Sequence, residues 1–407
     1  MGGAAAVAPG DARWDPASPA FAERLKAEAY ALGADLCGVA RLGPAETHEA
    51  FARWLAAGHA GEMDYLARGA EARRDTRRPV PASWARTAER AEAASAVVIA
   101  VEYGGREPAG PVARYARGAD YHDVLARRLG ALHGWMEAAL GRPVAGKPYV
   151  DTGPVLERDL ARRAGLGWFG KNTMLIHPRL GSFFVLGALL VGEALAPDAP
   201  FDADRCGTCT RCLDACPTGA LPAPRVLDAT RCVSYLTIEA RGDIPEGLRA
   251  GVGDRVYGCD VCQDVCPYTH KFSRALSEGS PFAPRPAIAG KGARDLAREL
   301  LGMSPDEFTA AFRGSPMKRA KLRGLKRNAA VVLGNVGLPD DVPALVAALA
   351  DDEPLVRSHA AWALGRVGGS PAGVALRERL AAEDDPAVRE EVRAALAALD
   401  AAPPLTR

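Results

Sequence analysis

No apolar run in this sequence approaches the roughly 20 residues a helix needs to cross a bilayer, and no basic segment followed by an apolar core opens the chain. A membrane span and a secretion signal are therefore not expected, and a cytoplasmic location is. The Met-Gly start lacks the serine or threonine of a myristoylation signal, because Ala6 stands in that place. Net charge is almost absent too: 51 Lys and Arg offset 50 Asp and Glu, leaving a formal +1. With no global basic field, any contact with a nucleic acid must come from a local patch. Neither a phosphate-binding P-loop nor a strict G-x-G-x-x-G after a strand occurs, which disfavours nucleotide cofactors.

What is present is cysteine in one place. Eight of the nine cysteines lie between Cys206 and Cys266, and in a reducing compartment such a cluster points to metal ligands before disulfides. Cys206-x2-Cys209-x2-Cys212-x3-Cys216-Pro217 is the bacterial ferredoxin run, in which three thiolates hold one [4Fe-4S] cubane and the fourth reaches the other. The second half reads Cys259-x2-Cys262-x3-Cys266-Pro267, with Cys232 upstream replacing its missing first cysteine. The crossover rule applied twice assigns Cys206, Cys209, Cys212 and Cys266 to one cluster, and Cys216, Cys232, Cys259 and Cys262 to the other. A pair of structural zinc sites is the competing reading, but zinc does not require the tight x2, x2, x3 run with its proline. Cys37 stands alone beside an apolar segment and reads as a small core residue. Two neighbouring clusters form a wire for single electrons, which implies an acceptor at its end.

The 407 residues, 48% hydrophobic and 25% charged, suffice for two or three globular domains. Residues 1–20, rich in Ala, Gly and Pro, read as a disordered leader. Residues 21–195 alternate helix and strand signals, as an α/β domain does. Ala96 to Val101 is a buried-strand run, Gly181 to Leu195 is a second apolar stretch, and Leu125, Leu129, Leu132, Met136 and Leu140 form one helical stripe. A further helix is expected over Val155 to Ala164, capped by Gly165, with Asp151 in the loop that enters it. Residues 196–275 carry the cysteine module and 276–325 a basic connector. In residues 326–400 the stretch from Ala330 to Gly337 recurs from Ala361 to Gly368, a 31-residue period that resembles HEAT-like helical repeats.

Several blocks, in order along the chain, resemble the epoxyqueuosine reductase family. They are Val150-Asp151-Thr152-Gly153-Pro154, the segment from Gly165 to Asn172, the cysteine run with Pro217-Thr218-Gly219-Ala220, Tyr257-Gly258-Cys259-Asp260, and the C-terminal repeats. The match runs from about Phe21 to Leu396. The resemblance implies an α/β cobalamin-binding catalytic domain, a ferredoxin-like module with two [4Fe-4S] clusters, and all-α HEAT-like repeats. It implies an oxidoreductase related to the reductive dehalogenases that reduces epoxyqueuosine to queuosine at the wobble position of tRNA anticodons, the last step of queuosine biosynthesis. Base-off cobalamin is the implied cofactor, an unidentified electron donor the implied redox partner, and a monomer the expected state.

By the same resemblance, cobalamin contacts fall on Arg74, Ala113, Asp151, Leu175, Leu186, Ser234, Cys259 and Asp260. Ala113 stands where some relatives carry cysteine. Asp120-Tyr121-His122-Asp123-Val124-Leu125 begins like the D-x-H-x-x-G cobalamin motif but lacks its glycine, so His122 is not expected as a lower axial ligand. Asp151 is the implied proton donor, which calls for a pKa raised by burial; without the resemblance it would read as a turn residue. Tyr121 and His122 are candidates for the pocket wall or a proton relay.

From Ala311 to Val331 seven basic residues occur with no acidic one: Arg313, Lys318, Arg319, Lys321, Arg323, Lys326 and Arg327. For a polyanionic substrate the implied phosphate contacts are Lys318, Arg319, Lys326 and Arg327. Two rival readings remain. One is a reductive dehalogenase-like enzyme acting on a small molecule, and the other a non-catalytic iron–sulfur electron carrier.

Overall fold

The computed structural model describes residues 14–78 and 95–401. Residues 1–13 of the expected leader lie outside that range. Its last residues are ordered into the fold: Ser18 caps the helix Pro19–Ala31 by accepting from the Phe21 amide at 3.2 Å, and Pro19 takes the first position, where no amide hydrogen is needed.

Four strands form one sheet in the order β1 (Leu36–Arg41), β2 (Ser95–Glu102), β6 (Phe184–Val191) and β3 (Gly146–Tyr149), and every pairing is antiparallel. The short strands β4 (Trp168–Phe169) and β5 (Leu175–Ile176) make a separate hairpin. The period of two along β2 explains its unbroken apolar run. Val97, Ile99 and Val101 face one core with the helices Pro19–Ala31 and Tyr121–Leu140, while Ala96, Val98 and Ala100 face another with the helix Glu157–Arg163. All five residues of the predicted helical stripe are buried in Tyr121–Leu140, which Gly141 closes at φ 64°. The predicted second helix is real but shorter, Glu157–Arg163, and Gly165 follows it at φ 78°.

The connector is less of a linker than its Pro/Gly content suggests. It contains the helices Ala293–Gly302 and Pro305–Ala311, and the boundary expected at 325/326 falls inside the helix Lys321–Val336. That helix, with Pro354–Val367 and Pro386–Ala401, forms the repeat layer, and its apolar face continues into the cysteine module as a single core running from Val112 to Ala395.

At this junction a basic residue does structural work. Arg327 is 1% exposed, and its guanidinium donates to the carbonyls of Ala240 (2.9 Å), Gly242 (2.7 Å) and Leu236. The neighbouring Asn328 donates to the Thr237 and Val256 carbonyls, both at 2.8 Å. Burial lowers the Arg327 pKa to about 10, so it keeps its charge at neutral pH. The carbonyls it satisfies run from Leu236 in the last turn of the helix Val233–Ile238, which begins just after Cys232, into the loop beyond it, and the Thr237 hydroxyl accepts from the Gly258 amide at 2.9 Å, next to Cys259. Replacing Arg327 with Leu orphans these carbonyls and is expected to cost more than about 2 kcal/mol in urea unfolding of the cluster-loaded protein, with loss of bound iron. Unchanged stability and iron content would show that Arg327 is dispensable here.

Candidate functional site

The chain leaves β3 through Val150 and turns sharply. Asp151 sits at φ 58°, in the left-handed region, where a non-glycine residue is strained by roughly 1–3 kcal/mol. A side chain on Gly153 would meet the Tyr149 ring at 2.0 Å, so only glycine permits this turn. The turn aims Asp151 at the first residues of the helix Tyr121–Leu140. Asp120 caps that helix by accepting from the His122 amide, which fixes Tyr121 and His122 on the same side. The Tyr121 hydroxyl donates to Asp151 Oδ2 at 2.6 Å, His122 Nδ1 meets Asp120 Oδ1 at 2.6 Å, and His122 Nε2 lies 3.7 Å from Asp151 Oδ2.

These contacts reverse the expected titration of Asp151. Burial alone would raise its pKa, but the approach of His122 and the Tyr121 hydrogen bond outweigh it and hold the carboxyl below the usual range. For His122, burial lowers the pKa, yet Asp120 and Asp151 together raise it to about 9. At neutral pH the site therefore holds an ionised Asp151 beside a protonated His122. The raised pKa required of a donor belongs instead to Glu157, at about 7, through burial and the neighbouring charge of Asp151.

The eight cysteines of the module act on one another as near neighbours. After burial, the charges of Cys206, Cys266 and Cys209 push the Cys212 thiol up, while Cys216 acts on Cys232, Cys232 on Cys259, and Cys232, Cys259 and Cys212 all on Cys262. Such influence requires proximity, which the two expected ligand sets also need. The short helices Arg211–Asp214 and Val261–Asp264, each carrying a central cysteine, pack against each other. Among the described residues no three ligand side chains close on a lone ion; a cubane offers one iron to each thiolate and needs no such closure. Trp168 Nε1 donates to Cys206 Sγ at 3.4 Å and the Ala220 amide to Cys216 Sγ at 3.2 Å, the kind of contact that tunes a cluster. The donor set fits two [4Fe-4S] clusters.

A cavity of about 600 Å³ lies between these two constructions. Asp151, Tyr121, Glu157, Arg158 and Arg73 line one side and Cys216, Cys232, Cys259 and Cys262 the other, with apolar walls from Leu175, Leu186, Phe184 and Val233. None of Cys206, Cys209, Cys212 and Cys266 lines it, so only the second set faces the cavity. The side chain of Asp151 is 65% exposed into this space, open to a ligand.

Of the residues named from sequence, Asp151, Leu175, Leu186, Ser234, Cys259 and Asp260 line the cavity and Arg74 and Ala113 do not. Arg74 points to solvent; its neighbour Arg73, buried to 7%, takes the inward place and donates to the Gly153 carbonyl at 3.4 Å. Ala113 packs behind the wall, its amide donating to the Tyr257 carbonyl. The Asp260 carboxylate is held by Arg114 at 3.0 Å. Trp168 stacks on Phe201 and meets Tyr268 edge-on, as packing beside the first thiol set. The basic stretch divides likewise. Arg327 is buried and makes no surface contact, Lys326 pairs with Asp351 at 2.7 Å, and Arg319 pairs with Glu239 at 2.7 Å, while Lys318 and Lys321 are exposed with no ion pair among the described residues.

The chain is similar to known proteins over nearly its whole length. Residues 87–152 match a family model described as epoxyqueuosine reductase QueG, DUF1730; residues 205–269 match a 4Fe-4S double cluster binding domain, and 319–397 match HEAT repeats. The epoxyqueuosine reductase of Pseudomonas aeruginosa is 40% identical over 359 residues, covering 87% of this chain and 96% of that protein. That of Escherichia coli K12 is 37% identical over 347 residues, covering 85% and 89%. A crystal structure of epoxyqueuosine reductase with an epoxyqueuosine-modified tRNA-Tyr stem loop superimposes with a TM-score of 0.82 at 31% identity, over 94% of this chain and 99% of that one. The Bacillus subtilis enzyme, captured with its aspartate catalytic loop swung out of the active site, gives 0.82 at 30% identity, over 93% and 99%. Extending over nearly the full length of both partners, this similarity establishes that the chain belongs to the epoxyqueuosine reductase family.

Proposed function

We propose that this protein reduces epoxyqueuosine to queuosine in the anticodon loop of tRNA, drawing electrons through two [4Fe-4S] clusters and using a cobalamin held in the cavity. The observation that carries the reading is the cavity itself, with the second thiol set on one wall and the strained Asp151 on the other. Relatives named for this activity, one solved with a modified tRNA stem loop, support it.

The cavity suits a large planar cofactor, being walled by apolar side chains and edged by a few polar ones. Leu175, Leu186, Ser234, Cys259 and Asp260 would hold cobalamin, with Arg73 in place of Arg74. When bound, cobalamin would supply a cobalt centre that takes up electrons one at a time. Opening an epoxide to an alkene with loss of water consumes two electrons and two protons. An ionised Asp151 has no proton of its own to give, so it relays one: protonated His122 recharges it, the Tyr121 hydroxyl holds it in place, and its carboxyl hands the proton to the departing oxygen. The protonated form of His122 persists until the pH rises through about 9, so the relay is filled below that value and emptied above it. Exposed Lys318 and Lys321 present the basic face to tRNA phosphates.

Anaerobically reconstituted protein with cobalamin, a reductant and epoxyqueuosine-containing tRNA is expected to form queuosine, read by mass spectrometry of the nucleosides; intact clusters with bound corrinoid and no conversion would contradict the reading. Asp151→Asn is expected to keep cluster absorbance and lose turnover by about 10²-fold or more. Full activity would remove Asp151 from the mechanism. Joint replacement of Lys318 and Lys321 by Ala is expected to lower the salt slope of tRNA binding by roughly 0.7–0.9 for each phosphate that is no longer neutralised. Lys326→Ala leaves that slope in place, since its ammonium is engaged by Asp351. An unchanged slope in the double variant would move the tRNA face elsewhere.

A further inference from the structure

Glu157 has no place in the relay above, yet it opens the helix Glu157–Arg163 at the cavity wall with its Oε1 buried and without a hydrogen-bond partner among the described residues. Most buried carboxylate oxygens are paired, and one left bare in a catalytic cavity calls for a reason. The charged groups around it are Asp151 from the preceding loop, Arg158 beside it and Arg73 from the helix Ala70–Arg73. Both arginines are engaged elsewhere: Arg73 donates to the Leu66 and Gly153 carbonyls and Arg158 to the Thr173 carbonyl. The nearby Asp159 is turned away to the Thr47 amide and Arg163, and across the cavity Asp260 is tied to Arg114.

We propose that Glu157 is the second proton donor of the epoxide reduction, its carboxylic acid delivering to the departing oxygen the proton that the Asp151 relay does not supply. This inference rests on the function proposed above. The balance requires a second proton: two electrons arriving through the clusters and two protons convert one epoxide into one alkene and one water. The first proton turns the opened C–O oxygen into a hydroxyl, and the second lets that hydroxyl leave as water when the remaining C–O bond breaks. In the Asp151, Tyr121 and His122 group, Tyr121 hydrogen-bonds Asp151 and His122 Nε2 approaches it at 3.7 Å as an ion pair, from which the group refills. Glu157 is a separate acid on the same wall, and burial with the adjacent Asp151 charge keeps it half protonated near pH 7. A group poised at the working pH is the most effective general acid.

The test compares wild type, Glu157→Gln and Glu157→Asp, all cluster-loaded and supplied with cobalamin. In wild type, kcat is expected to fall in two steps with rising pH, near 7 and near 9. In Glu157→Gln the step near 7 disappears, kcat at pH 6 drops by about 10²-fold, and KM for tRNA stays within about twofold; Glu157→Asp restores the step at a lower rate. Infrared difference spectra between pH 6 and pH 8, recorded without substrate, are expected to show a protonated carboxyl band in wild type that is missing from Glu157→Gln, and in Asp151→Asn, which lacks the neighbouring charge, the band titrates at lower pH. A Glu157→Gln profile that superimposes on wild type, or a carboxyl band that survives in it, overturns this inference alone, provided cluster absorbance and melting temperature match wild type. Absence of turnover in wild type itself would instead overturn the parent reading.

Discussion

In the proposed ligand assignment, neither cluster can be completed by one half of the cysteine module. Cys266 would close the set begun at Cys206, and Cys216 would open the set finished at Cys262, so the two halves must fold against each other before either cubane has four thiolates. The helix Val233–Ile238 follows from this, because it carries Cys232 into the second set, and its end is held by Arg327 and Asn328 from the first repeat helix. The repeats thereby brace the cluster module, and the shared core extends across both.

The same crossover orients the cavity. Only the second thiol set faces it, which gives electron flow a direction, from the first set through the second to whatever occupies the space. The opposite wall is built by the catalytic domain, where one strained residue is aimed at a helix N-terminus. Charge on that wall is partitioned. Asp151 is held ionised by His122 and Tyr121, and its negative charge adds to burial in raising its neighbour Glu157 to about 7. Two carboxyl groups in one cavity are pushed apart in pKa by their different partners, which is how one site stores both an acceptor and a donor.

Much of this was legible in the chain. The cysteine spacing implied both ligand sets, because cubane geometry leaves few alternatives, and the helical stripe and the β2 run implied elements whose packing obeys simple periodicity. Positions set by tertiary contacts were not legible. Arg73 and Arg74 are adjacent and equally basic, and only the phase of a four-residue helix decides which faces inward. A basic run does not reveal its buried member, although Arg327 shares a helix face with buried Gly324 and Val331. The pKa of Asp151 depends on Tyr121, 30 residues earlier, so local sequence suggests an acid where the fold makes a carboxylate. Glu157 was missed because a glutamate at a helix start reads as ordinary dipole compensation.

The central claim is that the thiol set of Cys216, Cys232, Cys259 and Cys262 forms the electron-delivering wall of the cavity. The most direct test is electron paramagnetic resonance on reduced protein in which Cys209→Ser disables the first cluster, recorded with and without added cobalamin. The account predicts that the signal of the remaining cluster changes when the paramagnetic corrinoid enters the cavity beside it. A signal unaltered by bound cobalamin would contradict the arrangement.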